Sequence, residues 1–262
     1  MIIVTPMAGK GRGFKDWSDL PKPLIEIDGK PMIQHAIETC NVDGQHIFVI
    51  NPDHKKFGVH RQLKKIVPDC IIVEAYEPQQ GQATAVLFAE ELINNDEYLF
   101  IQNCDHRMSW DGKFDKTLDG WLMVEERSGP EWSYAKIDKA GWVIETAEKK
   151  EISNLAQVGL FAWKKGKDYV KYCHQMVEKN LRVKNEFYVC PVYNEAIADG
   201  LKFRTVKCNK YWSFGSPEKV QKYLMNLPIN YQRDKIDIPH PTWQKNKEVS
   251  NTEVFMFGPD AM

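Results

Sequence analysis

Near the start of the chain glycines alternate with cations: Gly9, Lys10, Gly11, Arg12 and Gly13. Alternating glycines relax the backbone so that successive N–H groups can turn toward one point, a concavity that suits anionic oxygens. Lysine and arginine add full charges that stay protonated beside phosphate. A short way on comes Pro21-Lys22-Pro23. The two prolines stiffen the backbone around Lys22 and bias it away from helix. One long cation is thereby offered from a fixed place, as attack on a phosphoryl group requires. Asp105 stands in "NCDH", directly after an apolar run. A carboxylate there suits Mg²⁺, which takes one or two carboxylates and completes its shell with phosphate oxygens and water. Together these residues describe a polyphosphate held by amides and cations beside a carboxylate.

Two other phosphate-binding loops fit poorly. The dinucleotide fingerprint G-x-G-x-x-G needs glycine where Phe14 stands. Its acidic ribose ligand should follow about 20 residues on, at the end of a second strand, and here the second apolar run ends near residue 50. A Walker loop needs G-K-[ST], and none follows.

The elements that must position these groups are legible as apolar runs. Strands are expected at 2–5, 46–50, 70–76 and 98–102. Helices are expected after Asp28-Gly29, with Pro31 at the first helical position, then at 55–67 and 81–93. The order β-α-β-α-β-α-β argues for a parallel doubly wound sheet. Such sheets bind ligands at the carboxyl ends of their strands. The glycine loop, Gly81 and Asp105 all follow strand ends, so they are expected at one rim. The second half predicts strands at 121–126, 134–138, 142–148 and 156–163, with a turn at 139–141. Helices at 166–180 and 190–199, a strand "FRTVKC" and a helix at 216–224 capped by Ser216 complete it. The domain is expected to span 1–227, with the polar, proline-bearing residues 228–262 as a C-terminal extension.

The bulk numbers narrow the class. Of 262 residues, 43% are apolar, enough for a sizeable core and too many for a wholly disordered chain. Lys+Arg at 35 and Asp+Glu at 36 nearly cancel, so no global basic field invites nucleic acid. The six cysteines form no C-x-x-C pair and the seven histidines no H-x-x-x-H pair. Free thiols in a reducing compartment are expected, rather than zinc or disulfides. The opening apolar run is too short for a signal peptide, and no stretch approaches the roughly 18 apolar residues of a membrane span. A cytoplasmic protein is expected.

The stretch "MAGKGRGF…LPKPLIEIDGKPMI" resembles the N-terminal signature of the nucleoside triphosphate-dependent sugar-phosphate nucleotidylyltransferases. The resemblance continues in order through "GQATAVLFAEELI", "NCDH", "WSYAKIDKAGWVIETAEKKEISNLAQVGLFAW", "NEFYVCPVYNEAI" and "WSFGSPEKV", over about 1–224. The chain looks especially similar to the subgroup found with capsule and surface-polysaccharide genes. The resemblance implies a single α/β domain of Rossmann-like, GT-A type, doubly wound around a mixed, mostly parallel sheet. It also implies a reaction: an NTP and a phosphorylated acceptor give an activated product and pyrophosphate, with Mg²⁺ as cofactor.

Carried over by position, Ala8 and Gly9 would lie against base and ribose, within a nucleotide-binding loop that includes Gly11. Lys10 and Arg12 would hold the β- and γ-phosphates. Lys22 would bridge the α-phosphate and the acceptor phosphate. Gly81 would let the chain approach the base, and Asp105 would ligate Mg²⁺. Lys149 matches the lysine that grips the acceptor's phosphate, and Glu186 lies in the segment that shapes the acceptor pocket. Arg12, Lys22 and Asp105 form the expected catalytic group. The implied partners are an NTP and a small acceptor, a sugar 1-phosphate or another phosphorylated metabolite. Neither nucleic acid nor membrane is implied, and a homo-oligomer is compatible with the reading. Trp132, Tyr134, Phe187 and Tyr188 are aromatic candidates for the acceptor pocket or for the core.

Two departures stand out. The family pattern G-x-G-[ST]-R-[LF] becomes Gly11-Arg12-Gly13-Phe14, with the arginine one place early. Where many members place aspartate after tryptophan, this chain has Ser213. These departures keep two alternatives in view: a nucleotide-binding regulatory protein on the same scaffold, and a GT-A glycosyltransferase, against which Pro21-Lys22-Pro23 speaks.

Overall fold

A computed structural model describes residues 1–76 and 80–227, with every side chain among them except that of Arg12. Strand β1 (Ile2–Pro6) is a buried apolar run that ends at its proline. A two-residue hairpin follows, β2 (Glu26–Ile27) and β3 (Lys30–Pro31), with its corner at Asp28 and Gly29, both at positive φ. Helix α1 (Met32–Thr39) begins directly after it. Pro31 therefore closes the hairpin and precedes the helix, one place earlier than its spacing predicts.

Strand β4 (Gln45–Ile50) is as expected, but the helix expected at 55–67 is two pieces. A 3-10 segment, Pro52–Phe57, gives way at Gly58 (φ 74°) to α2 (Val59–Ile66). After β5 (Ile71–Glu74), the helix expected at 81–93 likewise divides into α3 (Gln82–Leu87) and α4 (Glu90–Ile93). Apolar periodicity runs through both breaks, which is why the sequence reads as continuous helix. Next come β6 (Leu99–Gln102), β7 (His106–Ser109), β8 (Gly120–Glu126), β9 (Ser133–Ile137), β10 (Val143–Glu148) and β11 (Leu155–Trp163). The chain then forms α5 (Gly166–Glu178), α6 (Val189–Ala198), β12 (Phe203–Lys207), β13 (Lys210–Ser213) and α7 (Pro217–Met225).

The main sheet runs β10-β9-β11-β6-β1-β4-β5, with β8 paired to β11 and β12 to β8. Strands β6, β1, β4 and β5 form a parallel block, and β11 joins it antiparallel to β6. Alternate residues feed the two faces, as the pleat requires. Val4, Ile47, Val49 and Ile101 pack with residues of α3, α5 and α6. Ile3 and Phe100 turn the other way, toward Trp110 and Trp121, while Phe48 and Ile50 meet α1 and α2. This is the expected doubly wound, mixed α/β architecture in a single domain. The expected extension, 228–262, lies outside the described residues.

Two features that position the site were not read from the sequence. Strands β7 and β13 pair into a ribbon that sets Ser213 opposite His106. Helix α7 packs back onto the N-terminal loop: Phe214, Val220, Tyr223 and Leu224 join Phe14, Trp17, Ile25, Ile27 and Met32 in one buried cluster. Each such side chain stabilises by about 1.5–3 kcal/mol when fully buried. That anchors a loop whose glycines would otherwise favour disorder.

Candidate active site

The parallel strands all end at one rim, and a cleft of about 990 Å³ opens there. After β1 its lining is Pro6, Ala8, Gly9, Lys10 and Gly11; after β4, Asn51, Pro52 and Asp53; after β5, Ala75 and Tyr76. Gly81, Gln82 and Ala85 of the α3 segment and Glu186 close it. Six residues expected at the site, Ala8, Gly9, Lys10, Gly11, Gly81 and Glu186, thus share one cavity. Asn51, Asp53 and Gln82 were not anticipated, although each follows a strand end, the position that marks ligand sites in such sheets.

The glycine loop folds over the proline-flanked lysine. Gly11 has φ 59°, and a Cβ there would stand 3.0 Å from Cβ of Lys22. The Phe14 amide donates to the Gly11 carbonyl (3.0 Å), closing a 3-10 turn over Arg12–Phe14. Phe14 is buried against Trp17 and lies 5.5 Å below the Lys22 ammonium. The residue that spoils a dinucleotide fingerprint is therefore the loop's anchor. The Arg12 side chain lies outside the described side chains, so its expected phosphate contact is not placed. Pro21 is extended (φ −53°, ψ 137°), as expected. Lys22, in contrast, opens a 3-10 turn, Lys22–Leu24, because Pro23 occupies a first-turn position that needs no N–H.

Lys22 points at Asp105. Its ammonium donates to Asp105 Oδ2 at 2.5 Å, and the two side chains are 19% and 22% exposed. Burial pulls the lysine down, but the Asp105 charge and hydrogen bond outweigh it and hold Lys22 above its ordinary range. The neighbouring Cys104 thiol is pushed up to about 12, first by burial and then by the Asp105 charge, so it stays protonated and unreactive. Gln82 ties this group to the cleft by donating to the side chain of Asn103.

Ser213 lies beside the same carboxylate. The Phe214 amide donates to the Asp105 carbonyl (2.7 Å) and the Gly215 amide to Ser213 Oγ (3.1 Å). A Cβ on Gly215 would meet Ser213 Oγ at 3.2 Å and Asp105 Oδ2 at 3.8 Å. Among the described residues no three His, Cys, Asp or Glu side chains gather as a metal site. One carboxylate with an adjacent hydroxyl fits Mg²⁺, provided phosphate oxygens and waters complete its shell.

On the other flank, Lys149 takes a left-handed conformation (φ 55°), and its backbone N–H donates a hydrogen bond to the Trp132 carbonyl (2.9 Å). Its ammonium donates to the Tyr188 hydroxyl and lies 4.2 Å from that ring's centre. Burial raises the Tyr188 phenol, and its hydrogen bond to Glu186 raises it further. Burial also holds Glu148 above the usual carboxylate range, against the Ser133 hydroxyl that donates to it and the Lys149 charge. Lys149, Tyr188 and Glu186 thus form a chain that ends in the cleft. Of the other aromatic candidates, Tyr134 and Phe187 are core residues, and Trp132 is half-buried.

Gly81 joins the two flanks. A Cβ there would collide with the backbone nitrogen and oxygen of Phe187, and its φ is 131°. Hydrogen bonds from Phe187 to Gln80 (2.8 Å) and from Ala83 to Phe187 (2.9 Å) hold the two segments together. In the structure Gly81 is packed against the chain's own Phe187 backbone.

A match to the nucleotidyl transferase family spans residues 9–213. The bifunctional protein GlmU of Methanocaldococcus jannaschii is 28% identical over 241 residues, which are 86% of this chain and 55% of that protein. The chain spans about half the length of the curated relatives it matches. A nucleoside-diphosphate-sugar pyrophosphorylase from Vibrio cholerae RC9 superposes with a TM-score of 0.74 at 25% identity, over 88% of this chain and 99% of that one. The inositol-1-phosphate CTP transferase from T. maritima shares the fold, with a TM-score of 0.64 at 16% identity over 87% and 97% of the two chains. The chain belongs to the nucleotidyl transferase family.

Proposed function

We propose that this family member joins an NTP to a small phosphorylated acceptor and releases pyrophosphate. An oxygen of the acceptor phosphate attacks the α-phosphorus, the bond from that phosphorus to the β-bridging oxygen breaks, and pyrophosphate carries away the electron pair. The acceptor is already an anion, so no strong general base is needed. The work left to the protein is positioning and charge neutralisation. The backbone at Ala8, Gly9 and Gly11 accommodates base, ribose and phosphates. Lys10 and Arg12 hold the outer phosphates, and Lys22 neutralises charge where attacking and leaving groups meet. Lys149 draws in the acceptor phosphate, with Glu186 shaping the pocket. Asp105, with the Ser213 hydroxyl beside it, would hold Mg²⁺, which would neutralise phosphate charge when bound.

The observation that carries this reading is the convergence of Lys22 and Asp105 beside a cleft lined by Ala8, Gly9, Lys10 and Gly11. The acceptor is a sugar 1-phosphate or a small phosphorylated metabolite, and the setting is surface-polysaccharide synthesis in the cytoplasm. Among the described residues no helix is long and apolar enough to cross a membrane. The test is a panel: each NTP with Mg²⁺ and a set of sugar 1-phosphates and smaller phosphorylated metabolites, following pyrophosphate. Release with at least one pair is expected. Serine in place of a second carboxylate at position 213 favours one other reading, a protein that binds nucleotide without turning it over. Nucleotide binding with no pyrophosphate from any pair would decide for that alternative.

A further inference from the structure

Asp105 is the carboxylate assigned to Mg²⁺ in the proposed reaction, and a role for its lysine partner rests on that assignment. In the structure this carboxylate already holds a cation, the Lys22 ammonium at 2.5 Å. Both partners are braced. Lys22 sits between Pro21 and Pro23, with Gly11 against its Cβ and the Phe14 ring beneath its ammonium. The Asp105 backbone is held by the Phe214 amide, at the end of the β7–β13 ribbon. A divalent ion arriving alone would have to displace an ammonium to gain one carboxylate, and among the described residues no three His, Cys, Asp or Glu side chains gather there to add others. Mg²⁺ sheds water reluctantly, so a carboxylate already neutralised is a poor site for it. A triphosphate reverses both conditions. Its oxygens offer Lys22 another anion, and they bring the metal with ligands of their own.

We propose that Lys22 acts as an internal counter-ion that keeps metal from Asp105 until nucleotide arrives, so that the protein loads metal only as a metal–nucleotide complex. Lys22 then has two successive partners, the carboxylate first and phosphate afterwards. No covalent bond changes in this exchange.

The test titrates Mn²⁺ alone, with no nucleotide, into the full chain and follows free Mn²⁺ by electron paramagnetic resonance. Wild type is compared with Lys22→Met, Lys22→Gln and the double variant Lys22→Met/Asp105→Asn, each checked for folding by thermal melting. Methionine keeps a side chain of similar length against Gly11 without the charge. Wild type is expected to bind weakly, both single variants more tightly by about tenfold or more, and the double variant weakly again. Wild type binding as tightly as the single variants would overturn the proposal, as would no gain in either of them. A gain that survived Asp105→Asn would place the metal elsewhere and overturn it too. The readout uses neither NTP nor acceptor, so a silent substrate panel, which would defeat the proposed reaction, leaves this result separately decided.

Discussion

The two flanks of the cleft are built by different means. The flank after β1 is mostly backbone: Ala8, Gly9 and Gly11 contribute chain rather than side chain, and one anchored aromatic, Phe14, fixes them. The flank around Lys149 is mostly side chain: an ammonium on a tyrosine, and that tyrosine on a carboxylate. A backbone cradle recognises what every triphosphate shares. A relay of side chains can differ from one relative to the next, because each contact is a separate residue choice. In the proposed reaction the flank assigned to the triphosphate is thus carried by a contiguous motif, and the flank assigned to the acceptor by residues scattered over forty positions of chain, from Lys149 to Tyr188.

The sharpest way to break this division is at the junction. Lys22→Ala and Asp105→Ala are each expected to lower turnover by about a thousandfold or more, with the fold intact by circular dichroism. Near-normal rates in both would mean the reaction centre is elsewhere. The joint between the flanks comes next. Gly81→Val forces a side chain into the Phe187 backbone at a φ that suits glycine. It should cost about 2 kcal/mol or more in thermal melting and weaken NTP and acceptor together. A change confined to NTP would show that Gly81 serves the base alone.

A smaller effect separates the flanks. Lys149→Ala should raise the acceptor KM by about tenfold and leave the NTP KM and the stability near wild type. The smallest effect is on acid stability beneath the nucleotide flank. His35 is buried, its Nε2 donates to the Ile27 carbonyl (2.6 Å), and its Nδ1 accepts from Arg107 (3.2 Å). Burial holds its pKa below the ordinary value and Arg107 pushes the same way, against the Ile27 carbonyl, Asp28 and Glu38. As pH falls, the unfolded chain takes up this proton first, so stability declines through the ordinary histidine range. Melting at pH 7.5 and pH 5.5 should show that decline, and His35→Gln should reduce it. His106, which burial pushes down to about 4, and His46, His54 and His60, which are lowered too, will contribute to what remains.

Legibility from the residues alone divides along the same line. The parallel block was legible because buried strands are continuous apolar runs bounded by turns. The glycine loop and Asp105 could be nominated because each follows such a run, and Lys22 because two prolines flank it. Helix breaks at Gly58 and at Phe88–Ala89 were not, since apolar spacing persists across them. The β7–β13 ribbon and the packing of α7 on Phe14 join segments about a hundred or more residues apart, and no local pattern announces them. The same holds for the Lys149–Tyr188–Glu186 relay. Its members could be nominated one by one, but their contact is a property of the fold.

The most direct test of the central claim is a crystal structure with Mg²⁺ and whichever NTP most raises the melting temperature. The triphosphate should run along residues 8–11, with its oxygens on the Lys22 ammonium, that ammonium drawn away from Asp105 and the metal at the carboxylate. A triphosphate bound away from residues 8–22 and 105 would contradict it.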